Sequence, residues 1–223
     1  MNSEPRAVPF WSSAEVESSL SATIDHLFAG RILAYPTETV YGFGTSTDHD
    51  AVERLVTLKR RPPAKPFLLL IAGSDMLSRL GLRLTPAAAR IAARHWPGPL
   101  TLVLPGGERR VSDRLRGPEG GIAVRWTSHA ALARLIRTYG DAITSTSANL
   151  PGRPAATTAT EIVREWGSAV AAGTVRVLDG GRLEPSPPST VVDCMARRAR
   201  VIRPGAVSAS VLRESVPDLV GDA

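Results

Sequence analysis

Residues 35–44 read Tyr35-Pro36-Thr37-Glu38-Thr39-Val40-Tyr41-Gly42-Phe43-Gly44. The stretch follows a short apolar run at residues 32–34 that predicts a buried strand, and it precedes residues 50–58, whose pattern predicts a helix. A plain connection between the two would need only a few turn residues. Here hydroxyl side chains cluster where glycines let the backbone bend close to a ligand. The stretch therefore predicts a binding site between a strand and a helix of an α/β domain, with a simple turn as the alternative.

The composition is that of an ordinary globular protein. The 223 residues are 43% hydrophobic and 22% charged, which suits one α/β domain with a substantial core. No apolar run is long enough to cross a bilayer, and we expect no signal peptide because the N-terminus lacks a basic region followed by an apolar core. Cys194 is the single cysteine, so no intrachain disulfide can form and a reducing, cytoplasmic location is expected. With four scattered histidines, the sequence predicts no metal site built from protein ligands of the zinc type.

The chain is basic, with a formal net charge of +6 and a pI of about 10.4. Lys59 and Lys65 are its only lysines, so nearly every cation is an arginine, which suits bidentate contacts with phosphate. A basic surface that serves solubility is one interpretation, and attraction to a nucleotide or to RNA is the other. Charge alone does not separate the two.

One domain is predicted at residues 13–216, with a loose N-terminal arm at 1–12 and a short tail at 217–223. Strands and helices alternate along the chain, a pattern typical of a mixed α/β sheet. Strand patterns occur at residues 32–35, 67–71, 100–104, 122–126, 142–145, 175–178, 190–193 and 200–202. Helix patterns, several of them with Ser or Thr caps, occur at residues 12–29, 50–59, 74–80, 85–95, 128–139, from 158 onward, and at 207–214.

Further segments join the opening stretch in one recognisable order. They are KRRPPAKPF at residues 59–67, WPGPLT at 96–101, IAVR at 122–125, TSTSANLPG at 144–152, PSTVVD at 188–193 and IRPG at 202–205. In order and spacing the chain resembles the YrdC-domain family, the threonylcarbamoyl-AMP synthases, from about residue 22 to about residue 207. The resemblance implies an α/β fold with a twisted sheet, mixed parallel and antiparallel, flanked by helices and enclosing an open concave cavity.

Lys59, Arg61 and Lys65 form a cationic cluster beside two prolines. A solvated helix end explains Lys59, since cations are favoured at the C-terminal end of a helix. Arg61 and Lys65 lie past the predicted helix in a proline-rich loop, and rigid placement of cations is what triphosphate binding needs. The family resemblance implies that Arg61 and Lys65 contact ATP and that Lys59 and Arg61 take part in catalysis.

Arg125 ends an apolar strand, where an unpaired charge is costly. A structural salt bridge is one interpretation, whereas the resemblance implies a catalytic grip on the carboxylate of L-threonine. Ser145, Ser147 and Asn149 alternate with a period of two, which would point them to one side of an extended backbone, although the same segment is also a good turn sequence. The resemblance implies L-threonine contacts from Thr37, Arg125, Ser145 and Ser189, ATP contacts from Ser147, Asn149 and Arg203, and a wall shaped by Thr39 and Tyr41.

The resemblance implies a reaction in which L-threonine, bicarbonate and ATP, with Mg²⁺, give L-threonylcarbamoyl-AMP and pyrophosphate. Downstream threonylcarbamoyl-transfer enzymes would then modify an adenosine of tRNA. Two positions depart from the family pattern. Leu70 stands where some members have a substrate-contacting histidine, and Trp126-Thr127 follows Arg125 where Met-Pro or Val-Pro is common. They keep open a non-catalytic, RNA-binding paralogue such as a ribosome-maturation factor. A carbamoyl-adenylate module of the hydrogenase-maturation type ranks last, because a chain of 223 residues with one cysteine has no room for the other domains of those proteins.

Overall fold

One mixed sheet organises the described residues, 7–61, 65–108 and 110–221, of the computed structural model. Its strands in these ranges are β1 (Val8–Pro9), β2 (Ile32–Tyr35), β3 (Gly42–Gly44), β4 (Leu68–Ile71), β5 (Leu100–Leu104), β6 (Ile122–Trp126), β7 (Ile143–Ser147), β8 (Val175–Asp179), β9 (Thr190–Asp193) and β10 (Arg200–Arg203). The helices are α1 (Ser13–Phe28), α2 (His49–Lys59), α3 (Asp75–Arg79), α4 (Pro86–His95), α5 (Ala130–Tyr139), α6 (Ala159–Glu165), α7 (Gly167–Ala171) and α8 (Ala209–Arg213), with a 3₁₀ turn at Asp113–Leu115.

The strand order across the sheet is β1-β8-β2-β3-β7-β4-β6-β5-β9-β10. The pairs β1–β8, β2–β8, β4–β6 and β5–β9 are parallel, and the remaining neighbours are antiparallel. The predicted mixed sheet is therefore confirmed. Strands that are far apart in the chain become neighbours, so motifs from the whole sequence can meet at one place.

Local capping chemistry fixes the helix starts where the sequence predicts them. The Ser12 hydroxyl accepts a hydrogen bond from the Glu15 backbone nitrogen at 3.3 Å, and the Glu15 carboxylate accepts one from the Ser12 backbone nitrogen at 2.8 Å. This reciprocal pair is a capping box. Thr85 caps α4 with proline in its first turn, and Thr158 caps α6.

The short strand β3 is not predicted from the sequence. It lies between β2 and β7, antiparallel to both. A Cβ atom at Gly44 would lie 2.5 Å from the Tyr35 hydroxyl and closer still to the Thr144 carbonyl oxygen. Glycine is required at this position because no side chain fits between the two neighbouring strands. The helix α7 is also absent from the predicted elements.

The prediction of a loose N-terminal arm is wrong for the described part of that segment. Val8 and Pro9 pair in parallel with β8, and Phe10 is fully buried. The Phe10 backbone nitrogen donates to the Asp179 carbonyl oxygen at 2.7 Å. The predicted C-terminal tail is attached as well, because backbone hydrogen bonds join Val220 to the β10 region.

The core is continuous along the sheet. It includes fully buried apolar side chains from β2, β4, β5 and β6, and α1 packs on α5 beside it. Within the described residues, no helix combines the length and apolar character needed to span a membrane.

Candidate active site

A cavity of about 590 Å³ lies among β4–β7, β9, β10 and the loops that follow β2 and α2. The predicted cavity is thus present, and it gathers most of the predicted site residues although they come from separate parts of the chain. The predicted residues that line it are Thr37, Arg61, Lys65, Arg125, Ser145, Ser147, Ser189 and Arg203, with Thr39 beside them.

The opening stretch contributes a wall of fixed hydroxyl groups. The Thr37 hydroxyl donates to the Val40 carbonyl oxygen at 2.7 Å and accepts from the backbone nitrogens of Thr39 and Val40 at 3.1 and 3.2 Å. The Thr39 hydroxyl lies 3.1 Å from Thr37 Oγ1. The lone pairs of Thr39 Oγ1 then accept from Arg125 Nη1 at 3.2 Å.

Arg125 is 4% exposed and lines the cavity. Its Nε lies 3.5 Å from Glu38 Oε1, so the side chain has an acidic partner on one side and the cavity on the other. The two interpretations of Arg125 do not exclude each other. Glu38 and Thr39, neighbours in the opening stretch, hold the guanidinium from two directions, and its other amine, Nη2, makes no hydrogen bond to the described residues.

A second guanidinium, that of Arg203, is held next to Ser189. Arg203 Nη2 donates to the Ser189 carbonyl oxygen at 2.7 Å and to its hydroxyl at 3.1 Å. The Ser189 hydroxyl also lies 2.9 Å from Thr101 Oγ1, a buried cavity residue that was not among the predicted site residues. Burial and the nearby charge of Arg125 lower the pKa of Arg203. Two guanidiniums therefore face the same space.

Arg61 is fixed at the other side of the cavity. Its Nε donates to the Lys65 carbonyl oxygen at 2.6 Å, Nη1 to Thr146 Oγ1 at 3.0 Å and Nη2 to the Pro66 carbonyl oxygen at 2.8 Å. The guanidinium also lies over the Phe67 ring, 4.5 Å from its centroid, and burial lowers the pKa of Arg61. Lys65 is exposed at the cavity lining.

Lys59 and Asn149 do not lie in the cavity lining. Lys59 is 4% exposed, and its ammonium donates to the Ser147 carbonyl oxygen at 2.6 Å, to Asn149 Oδ1 at 3.2 Å and to the Asn149 carbonyl oxygen. Asn149 lies beyond the end of β7, and its amide bonds Ser147 and Arg153. Burial and the charge of Arg61 lower the pKa of Lys59 to about 8. Lys59 thus holds the end of β7, at Ser147, together with Asn149 in the turn that follows it.

Three other positions named from the sequence also lie outside the lining. The Tyr41 hydroxyl donates to the Gly181 carbonyl oxygen at 2.7 Å and accepts from the Gly180 backbone nitrogen at 3.0 Å, so it joins segments of the fold. Leu70 is fully buried in β4, and Trp126 is half-buried at the end of β6. Neither departure from the family pattern therefore lies in the cavity lining.

The far end of the cavity has acidic residues that sequence reasoning missed. Asp193 Oδ2 lies 3.5 Å from Arg200 Nη2, and Glu119 Oε1 lies 3.9 Å from the same atom. All three side chains line the cavity beside Met195 and Ile202. In the described part of the chain, no group of three or more acidic, histidine or cysteine side chains could hold a metal ion.

Comparisons with known proteins agree with this arrangement. The sequence model of the Sua5/YciO/YrdC domain, described as "Telomere recombination", matches residues 25–205. The chain belongs to the Sua5/YciO/YrdC family. Within this family, the threonylcarbamoyl-AMP synthase of Methylobacillus flagellatus is 37% identical, over 80% of this chain and 95% of the relative.

The family also includes longer proteins. The threonylcarbamoyl-AMP synthase of Pyrococcus abyssi is 32% identical over 85% of this chain, which spans 55% of that relative. The crystal structure of P. abyssi Sua5 complexed with L-threonine has a TM-score of 0.85 and 28% identity, covering 96% of this chain and 62% of the Sua5 chain. The predicted fold and family are therefore confirmed.

Proposed function

We propose that this protein is an L-threonylcarbamoyladenylate synthase. One observation carries the proposal: a single cavity is lined by a guanidinium suited to a carboxylate, that of Arg125, and by further cations suited to a triphosphate. The named synthase relatives support it, as does the L-threonine complex of the P. abyssi protein.

In this proposal, Arg125 binds the carboxylate of L-threonine, with Thr37, Ser145 and Ser189 around the amino acid. The ammonium of L-threonine first loses a proton to bulk water or bicarbonate. The neutral amine then attacks bicarbonate, so that a carbon–nitrogen bond forms and water leaves. A carbamate oxygen then attacks the α-phosphorus of ATP, the bond between the α-phosphorus and the bridging oxygen breaks, and pyrophosphate departs. Holding the reactants together can supply about 7–11 kcal/mol of the barrier reduction.

The triphosphate would be bound by Arg61, Lys65 and Arg203, with Ser147 as a neutral donor. Each of these side chains lines the cavity. Lys59, predicted as catalytic, and Asn149, predicted to contact ATP, would instead act indirectly, since both hold the end of β7 at Ser147.

Mg²⁺ would arrive with the nucleotide. The described residues offer no acidic cluster for it, so phosphate and water oxygens would supply most of its ligands, and no step is assigned to the ion. Transfer of the product to tRNA by downstream enzymes, in the cytoplasm, completes the proposal. The RNA-binding paralogue is not favoured, because the cavity retains its cations and hydroxyls despite the changes at Leu70 and Trp126.

The test is to incubate the purified protein with ATP, Mg²⁺, bicarbonate and labelled L-threonine. We expect pyrophosphate release that depends on threonine and bicarbonate, together with the mass of threonylcarbamoyl-AMP. In Arg125→Ala, threonine-dependent turnover should be abolished while ATP binding by calorimetry stays within about threefold, because the triphosphate ligands lie elsewhere. ATP binding without turnover in the wild type, or unchanged turnover in Arg125→Ala, would contradict the proposal.

A further inference from the structure

Glu38 lies behind Arg125 and does not line the cavity. Its carboxylate is mostly buried, with 12% of the side chain exposed, and Arg125 has 5% exposed. Glu38 Oε2 accepts a hydrogen bond from the Thr127 hydroxyl at 2.8 Å. That hydroxyl in turn accepts from the His129 backbone nitrogen at 3.1 Å, which ties the carboxylate to the start of α5.

Glu38 Oε1 and Arg125 Nε form a matched pair of buried charged atoms. Neither has a hydrogen-bond partner among the described residues, and they lie 3.5 Å apart. Leaving either atom without a partner in the interior is costly. The two atoms therefore compensate each other as a buried ion pair, without the geometry of a hydrogen bond.

The guanidinium is a planar fork, so fixing two of its nitrogens fixes the direction of the third. Glu38 takes the Nε side and Thr39 takes one proton of Nη1. The outer edge formed by Nη1 and Nη2 is left for a ligand in the cavity. We infer that Glu38 is a positioning residue that aims this edge of Arg125 at the substrate carboxylate, an inference that rests on the proposed function.

The direction in which the affinity for L-threonine changes when Glu38 is removed distinguishes a positioning role from a purely electrostatic one. If Glu38 acted only through its charge, removing it would make the cavity more positive and L-threonine would bind more tightly. If Glu38 aims the guanidinium, removing it lets Arg125 turn and L-threonine binds more weakly. The two ideas predict opposite directions for the same variant.

The experiment compares Glu38→Ala, Glu38→Gln and Thr127→Val with the wild type. For each protein, KM for L-threonine, KM for ATP, kcat and the calorimetric affinity for L-threonine are measured. The inhibition constant of L-threoninol, which lacks the carboxylate, is measured in parallel. Glu53→Ala is the matched control, because Glu53 forms a half-buried ion pair with Arg114 away from the cavity.

For Glu38→Ala, we expect KM for L-threonine to rise about tenfold or more, with KM for ATP and the inhibition constant of L-threoninol within about twofold. Glu38→Gln should stay within about threefold of the wild type, since its amide can keep an oxygen toward Nε. Thr127→Val, which removes one hydroxyl, should shift KM for L-threonine in the same direction as Glu38→Ala. It keeps the test available if Glu38→Ala fails to fold. Glu53→Ala should shift none of these constants.

An unchanged or lowered KM for L-threonine in Glu38→Ala, or a parallel loss of L-threoninol binding, would overturn the inference alone, provided the wild type turns over. If the wild type binds L-threonine without turnover, the proposed function fails, and the same comparison is read from the calorimetric affinities. A wild type that binds no L-threonine overturns both.

Discussion

Replacing Lys59 by methionine tests whether the buried ammonium holds the cavity wall. The chain has two lysines, and the structure places them differently: Lys59 is buried against the end of β7 at Ser147, whereas Lys65 is exposed at the cavity. Methionine has a similar length and keeps the apolar stem, so Lys59→Met removes the ammonium and little else. Lys65→Met is the matched control.

The magnitude follows from the oxygen atoms that lose a donor. The Ser147 carbonyl oxygen keeps its bond from the Asn149 backbone nitrogen at 3.0 Å, and Asn149 Oδ1 keeps the Ser147 hydroxyl at 2.6 Å. The Asn149 carbonyl oxygen has Lys59 as its donor among the described residues and is left without one. An unsatisfied buried carbonyl costs about 1–3 kcal/mol. Because Asn149 is half-buried, we expect the free energy of unfolding to fall by up to about 2 kcal/mol.

Urea unfolding at neutral pH and thermal melting provide the measurement. A loss of about 2 kcal/mol corresponds to a melting temperature lower by about 4–8 °C in a chain of this size. Lys65→Met should change the unfolding free energy by less than about 0.5 kcal/mol while raising KM for ATP, because an exposed side chain contributes little to stability. Equal stability of the two variants, or a loss below about 0.5 kcal/mol in Lys59→Met, would refute the assignment of Lys59 to the wall.

Three further outcomes are expected. Gly44→Ala should lower the unfolding free energy by about 3 kcal/mol or more, because the new Cβ would clash with Tyr35 and the Thr144 carbonyl group. Gly167→Ala, the control, has open space around it and should be neutral or slightly stabilising. Equal melting temperatures of the two variants would contradict this. The pKa of Lys59 is about 8 in the folded protein and about 10.5, its ordinary value, in the unfolded chain. The unfolding free energy of the wild type should therefore rise relative to that of Lys59→Met as pH increases from about 8 towards 10.5. A difference between the two proteins that stays constant from about pH 7 to about pH 9.5 in urea unfolding would contradict this. Chelation with EDTA should stop turnover but leave the melting temperature of the nucleotide-free protein unchanged, because the described residues form no acidic cluster for a metal ion. A lower melting temperature after chelation would indicate a metal ion bound to the protein itself.

Features decided by neighbouring residues were predictable from the sequence. The capping box at Ser12 and Glu15 and the Thr-Pro start of α4 are local chemistry, and the helices begin where these signals stand. The strand β3 could not be predicted in this way. Its Gly-Phe-Gly sequence has low strand propensity, and it is a strand because it lies between the preceding strand β2 and β7, which comes from a distant part of the chain.

Most of the residues named from the sequence line one cavity, but the sequence did not indicate the direction of each side chain. Lys59 and Arg61 are near neighbours in sequence, yet Arg60 adopts a left-handed conformation, with φ of 48°, at the end of α2. The backbone turns there, so Lys59 points behind the wall and Arg61 points into the cavity. Glu38 was missed for a related reason: a carboxylate between two threonines gives no local sign that its partner is Arg125.

The cavity's charge is arranged before any substrate arrives. Its lining carries the cations Arg61, Lys65, Arg125, Arg200 and Arg203 against the acids Glu119 and Asp193. Each of the guanidiniums of Arg61, Arg125 and Arg203 is already bound through some of its N–H groups to oxygen atoms of the protein. Arginine has enough donors to be held and still bind a ligand, which lysine does less well. Preorganised donors need little rearrangement as charge develops on a phosphate. This explains why arginine predominates here, and why loosening Glu38 or Lys59 should impair binding although neither side chain touches the cavity.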